Sequence, residues 1–168
     1  MPTTPLDQLL PDIPDGYIAG LPGDLADIGL KDTISRLNTG TKPIPFGAAV
    51  CEGPADPTSV NHDPGCQAYT AGFAVVGFAK SDYSLYPATA QFTDANGYLQ
   101  YQPGDMVPVI RDGRMREVAD GTVAAGVGVS VGTDGLPVST GGTVVAGVFW
   151  ETNTEQDHVG IIQISLDR

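Results

Sequence analysis

From residue 118 to residue 166 the chain is a series of short β-type runs broken by Gly, Asp-Gly and Gly-Gly. Val127, Val129 and Val131 alternate with Gly126, Gly128 and Ser130. Val144, Ala146, Val148 and Trp150 alternate with Val145, Gly147, Phe149 and Glu151. A period of two puts successive side chains on opposite faces of a strand. The 22 glycines and 14 prolines among 168 residues punctuate the chain too densely for long helices, since both break them. An all-β fold is expected: an antiparallel β-sandwich or small β-barrel of about eight to ten strands.

Upstream the same logic marks further elements. Residues 24–37 predict one short helix or irregular turn, with Asp32 capping Thr33-Ile34-Ser35-Arg36. Residues 44–51 predict a strand, and 52–68 a Pro, Gly and Asp-rich loop with Cys51 and Cys66 at its ends. The near-continuous apolar run 73–79 predicts a buried strand. Residues 80–90, with Tyr83 and Tyr86, predict a loop. Asn96-Gly97 sits between 91–93 and 98–101, a hairpin signal because both residues tolerate positive φ. Asp112-Gly113 between 106–111 and 114–118 predicts a second hairpin, and Pro108 assigns its first strand to a sheet edge. Asp134-Gly135 separates 127–131 from 136–138. Residues 159–166 are apolar on both faces and predict a central strand. Residues 31–168 are expected to form a single β domain.

Residues 1–30 differ. Pro2, Pro5, Pro11, Pro14 and Pro22 fall among Leu6, Leu9, Leu10, Ile13, Tyr17, Ile18 and Leu21. Such frequent prolines block helix and central strand alike, yet the segment is too apolar for a solvated tail. An extended N-terminal arm is expected. It straps back on its own domain or lies across a neighbouring subunit, with plain disorder the remaining reading; alternate apolar anchors suit either groove.

Net charge is −12. This argues against direct contact with nucleic acid, whose phosphates need Lys and Arg, and against an anionic membrane surface. No apolar run is long enough to span a bilayer, and residues 1–10 lack the basic start and apolar core of a secretory leader. Synthesis and folding in the cytoplasm are expected. Cys51 and Cys66 form no metal-ligand spacing, with or without His62 and His158. Two reduced, partly buried thiols are expected, or a disulfide in an oxidising environment, and neither a cofactor nor a metal.

Gly128-Val129-Ser130-Val131-Gly132 fits the G-x-S-x-G pattern of a serine hydrolase, with Asp134, Asp157 and His158 downstream. That mechanism needs Ser on a strand-to-helix elbow, and Thr133-Asp134-Gly135-Leu136-Pro137 does not start a helix. The better reading is a strand carrying one solvent-facing Ser. Asp24, Asp27 and Asp32, and Asp56 with Asp63, fit turn chemistry rather than a calcium loop. His158 is assigned to an exposed turn, and Trp150 to the core, with an interface anchor as the alternative. Arg111, Arg114 and Arg116 gather three of the eight basic residues, either to meet an acidic partner or to guard an edge.

Taken in order, several stretches resemble the structural cement, or capsid decoration, proteins of tailed bacteriophages. They are Gly29-Leu30-Lys31-Asp32-Thr33-Ile34-Ser35-Arg36-Leu37-Asn38, Ile44-Pro45-Phe46-Gly47-Ala48-Ala49-Val50 and Phe73-Ala74-Val75-Val76-Gly77-Phe78-Ala79. Tyr101-Gln102-Pro103-Gly104-Asp105-Met106-Val107-Pro108-Val109, Asp120-Gly121-Thr122-Val123-Ala124-Ala125-Gly126 and the Trp150-Glu151-Thr152 corner follow. The likeness runs from about residue 20 to the C-terminus.

The resemblance implies a mainly β virion protein without a catalytic site. It would sit on the outer surface of the capsid, bridge major capsid protein subunits, and stabilise the shell against packed DNA. It further implies a homotrimer, with a dimer as the alternative. Leu6, Leu9, Leu10, Ile13, Tyr17, Ile18, Leu21, Arg111, Arg114 and Arg116 are then the candidate capsid or inter-subunit contacts. Another virion β module, such as a fibre base or host-surface binding protein, is the second reading, and the hydrolase a remote third.

Overall fold

The computed structural model describes residues 23–26, 32–61, 63–81 and 99–166. The leader up to residue 22, His62, Tyr83, Tyr86 and the Asn96-Gly97 hairpin lie outside the described residues. Eleven strands are present among the described residues: β1 (Asp32–Leu37), β2 (Ile44–Pro45), β3 (Ala49–Ala55), β4 (Pro64–Ala68), β5 (Val75–Ala79), β6 (Gln100–Tyr101), β7 (Met106–Val118), β8 (Gly128–Val131), β9 (Pro137–Val138), β10 (Thr143–Trp150) and β11 (Val159–Ser165). No helix occurs among the described residues.

Nine strands form one antiparallel sheet in the order β4-β3-β5-β7-β11-β10-β8-β9, with β1 also paired to β7. β2 and β6 make a small second sheet. The large sheet curls. Asn38, just past β1, bridges Cys66 in β4, and Thr39 N–H donates to the Cys66 carbonyl. β1, β7, β5, β3 and β4 thereby close into a ring. Inside it lie Ile44, Phe46, Ala48, Val50, Cys66, Ala79, Tyr101, Val107 and Val109. Closure removes the open edges that a flat sheet would present.

A second core fills the other side of the same strands. Ala49, Cys51, Phe78 and Ile110 point out of the ring and meet Met115, Val129, Val131, Val145, Val148, Trp150, Ile162 and Ile164. Alternation along β3, β5 and β7 makes one residue face the ring and the next face the curled half. β11 lies between β7 and β10, as its two apolar faces require, and Trp150 is buried. The Asp134-Gly135 turn joins β8 to β9 and tucks onto β3, where Ala49 N–H donates to the Gly135 carbonyl.

Several local expectations are corrected. The strand expected over 73–79 starts only at Val75, and Phe73 is exposed. Residues 32–37 are a strand, not a capped turn: β1 pairs with β7 from Asp32 to Leu37. Residues 44–51 are two strands, because Phe46 and Gly47 turn the chain at a φ of +83°. Residues 64–68 are a strand, so 52–68 is a β3–β4 hairpin with its turn at 56–61.

The largest difference is at Asp112-Gly113, which is not a hairpin. β7 runs straight through it for 13 residues. Gly113 takes a φ of +141°, open to glycine alone, and pairs with Ile164. The strand changes partners there, from β1 and β5 before it to β11 after it. Pro108 is consequently interior, between β1 and β5. Its carbonyl accepts from Lys80 N–H just past the end of β5. Backbone N–H and C=O of one residue point to the same neighbour, so the missing N–H faces that strand end rather than β1.

Candidate functional site

Residues 23–26 lie along β7 opposite β11. Gly23 N–H donates to the Arg116 carbonyl at 2.9 Å, Arg116 N–H to the Asp24 carbonyl at 2.7 Å, and Ala26 N–H to the Arg114 carbonyl at 3.0 Å. Leu25 bridges Met115 in antiparallel sense and packs on the larger core. This is strand addition: main-chain bonds give attachment, and Leu25 gives an apolar anchor. The chain that precedes Gly23 is thus rooted at the middle of the sheet.

Polar groups pin this root. Ser81 N–H donates to the Gly23 carbonyl at 3.0 Å, and Ser81 Oγ donates to Asp24 Oδ1 at 2.5 Å. Glu117 Oε1 accepts from Gly23 N–H at 2.9 Å. Glu117 is 1% exposed, because it follows Met115 by two residues and shares its inward face. Burial pushes its carboxyl well above the usual range; the Gly23 N–H opposes that shift, and Asp24 adds to it. Gly47 lies against the Glu117 carboxylate, where any Cβ would collide with its oxygens. Period two could have flagged Glu117 as an acid on an apolar face; Ser81 carries no such signal.

The arginines are engaged within the chain. Arg116 Nη1 donates to the Leu25 carbonyl at 2.9 Å, so this side chain clasps the root, while its Nε is buried without a hydrogen bond. Arg114 makes a two-pronged pair with Glu151, Nε to Oε2 at 2.5 Å and Nη2 to Oε1 at 2.7 Å. Arg111 Nε stands 3.9 Å from Asp32 Oδ2. Leu6, Leu9, Leu10, Ile13, Tyr17, Ile18 and Leu21 lie outside the described residues.

The second feature is a set of exposed apolar side chains on the curled half. Val144 is 66% exposed, Phe73 56%, Val127 50% and Phe149 39%. Between Val144 and Phe149 the ladder of β10 with β8 shifts register, and Gly147 takes a φ of +78° in that bulge. A groove of about 530 Å³ runs between the 69–75 segment and β10, lined by Tyr69, Phe73, Val75, Thr143, Val144 and Ala146 among others. A second hollow of about 340 Å³ shares Tyr69 and Thr143 with it and is also lined by Lys42. No motif in the sequence marks this groove. The signal was present in 143–150, where both faces of one strand are apolar.

Ser130 lies within β8, paired with Val144 on one side and Val138 on the other. It is on no strand-to-helix elbow. Asp134 Oδ1 accepts from Leu136 N–H within its own turn, and His158 Nδ1 faces Glu155 Oε2 at 3.7 Å. Asp56 accepts from Thr58 and Asp63 from Ser59, as turn residues do. Cys51 and Cys66 are free, fully buried thiols. They sit on neighbouring strands but face different cores, since Cys66 pairs with Glu52 rather than Cys51. Burial pushes the Cys66 thiol up to about 12, with Arg36 opposing the shift, and raises Cys51 as well.

A family profile described as structural cement protein (E217 gp24/Pam3 gp6) matches residues 13–167. Among solved structures, the head fibre gp8.5 N base of bacteriophage phi29 is similar at a TM-score of 0.43 and 12% identity, over 81% of this chain and 95% of that one. No curated protein matches the sequence.

Proposed function

Since the chain belongs to the structural cement protein family, a family of capsid-associated phage proteins, we propose that it decorates the outer surface of a phage head. It bridges neighbouring major capsid protein subunits there and stiffens the shell against the DNA within. It acts as a homotrimer, with a dimer as the alternative, and performs no reaction.

The observation that carries this reading is the root at residues 23–26. A leader tied by strand addition to the centre of the sheet transmits tension to the whole domain. A hinge on a surface loop would let it slip. The apolar residues of that leader are the proposed inter-subunit contacts. Arg111 and Arg114, part-exposed beside the root, stay as proposed contacts to an acidic neighbour, whereas Arg116 serves the root itself. Binding only the assembled shell stabilises it by mass action, and repeated symmetric contacts add through multivalency. A net charge of −12 is compatible with an exterior site, where another protein encloses the DNA.

The test is decoration of purified heads. Full-length protein should add ordered density outside the shell and raise the temperature at which heads release DNA. Protein lacking residues 1–20 should bind at least tenfold more weakly. Undiminished decoration by that truncated protein would remove the leader from the mechanism, and absence of the full chain from mature heads would end the reading.

A further inference from the structure

We propose that the proline-rich leader, residues 1–22, is the ligand of the groove between Phe73 and Val144. The proposal refines the clamp reading above and rests on it only for the leader's role as a tie.

Shape is the first argument. Five prolines in 22 residues favour an extended, polyproline-like course, which aromatic-lined grooves recognise. This groove has Tyr69 nearly buried and Phe73 standing exposed over it. Val144 and Ala146 are exposed on the β10 wall. Leu6, Leu9, Leu10 and Ile13 supply apolar anchors of matching chemistry.

Charge is the second. The leader holds Asp7, Asp12 and Asp15 and no Lys or Arg. Lys42 lines the adjoining hollow, which shares Tyr69 and Thr143 with the groove. Every other described Lys or Arg has a partner. Arg36 donates to the Pro64 carbonyl and Lys80 to the Ser81 carbonyl. Arg111 faces Asp32, Arg114 Glu151, and Arg116 the Leu25 carbonyl. Lys42 is thus the uncommitted cation among the described residues, and it lies where an acidic strand would pass.

Length is the third. The leader ends at Gly23, hydrogen-bonded to Ser81 beyond the end of β5. Val75, at the start of β5, lines the groove, so the two points are about 20 Å apart at roughly 3.3 Å per residue. Twenty-two extended residues reach about 70 Å. The leader is therefore long enough to reach its own groove with residues to spare.

The experiment is cysteine cross-linking in the free, full-length protein. Cys51 and Cys66 are both 0% exposed, so a short bismaleimide leaves them untouched. Leu6, Leu9, Leu10 and Ile13 are changed to Cys one at a time, each combined with Val144→Cys. At least one combination should cross-link tenfold faster than with Glu155→Cys, an exposed control whose side chain is 81% accessible. Mixing the single variants reports whose groove is filled. A linked pair of chains means a neighbour's, and a link seen only in the double variant means its own; either supports the assignment. Lys42→Glu and Phe73→Ser should each lower the yield several-fold. Yields at Val144 no higher than at Glu155 for all four leader positions, or indifferent to both groove variants, would overturn it. Because no heads are present, this result stands or falls separately from decoration.

Discussion

The ring half and the curled half of the sheet share β3, β5 and β7 but meet water differently. In the ring, β1 and β4 close on each other through Asn38, Thr39 and Cys66, and the interior is filled by Phe46, Tyr101 and their neighbours. Phe46 and Tyr101 even pack ring to ring, with centroids 4.7 Å apart. In the curled half, β10 and β8 cover the core on their inner face only. Their outer face carries Val144 and Phe149 into solvent. Apolar side chains scattered singly on a surface mean little, whereas a set of them beside an aromatic groove marks a contact surface. One half is built to be finished, and the other is left with a face to cover.

The comparison can be broken most forcefully in the two cores. Phe46→Ala in the ring and Trp150→Ala in the curled half should each cost about 3–5 kcal/mol in denaturant unfolding, with one shared transition. Two separated transitions would show that β7 does not couple the halves. Gly47→Ala should cost about 1–3 kcal/mol, since its φ of +83° and the Glu117 carboxylate both oppose a side chain.

Glu117 sharpens the contrast through pH. Its folded carboxyl is held above the ordinary range by burial, so the native state keeps a proton that the unfolded chain has lost. Stability from this site is full below the ordinary glutamate range and declines as pH rises toward the raised folded value. Glu117→Gln should flatten that decline and raise the melting midpoint at pH 8 by roughly 2–4 °C; a steeper decline in the variant would reverse the assignment. Arg114→Met should cost under about 1 kcal/mol, because the Glu151 pair is part-exposed. Smallest of all in stability is Val144→Asp, within about 0.5 kcal/mol. The same variant should weaken leader cross-linking and head binding, and an unchanged affinity would deny the outer face its role.

Much of the fold was legible where the signal is local. The Asp134-Gly135 turn, the interior position of β11 and the burial of Trp150 follow from period and turn chemistry alone. The misreadings share a cause. Asp112-Gly113 carries a turn signature, but the partners that hold β7 extended come from β1, β5 and β11, up to about 80 residues away in sequence. Residues 32–37 hold only Ile34 and Leu37 as apolar markers, and their strand state comes from pairing with β7. At the site, Arg111, Arg114 and Arg116 were legible as a cluster, but not their internal partners. The groove was not legible, since its walls come from 69–75 and from β10.

By itself, the sequence determined an all-β chain whose first 22 residues are rich in proline, apolar side chains and aspartate, because strand period, glycine and proline geometry and charge are read within a few residues. Only the tertiary structure decided that β7 is one strand shared by two cores, that Glu117 is buried under the leader's root, and that Val144 faces outward. Those facts depend on which distant strand covers which face, and two-fold alternation names the faces without naming what lies on them.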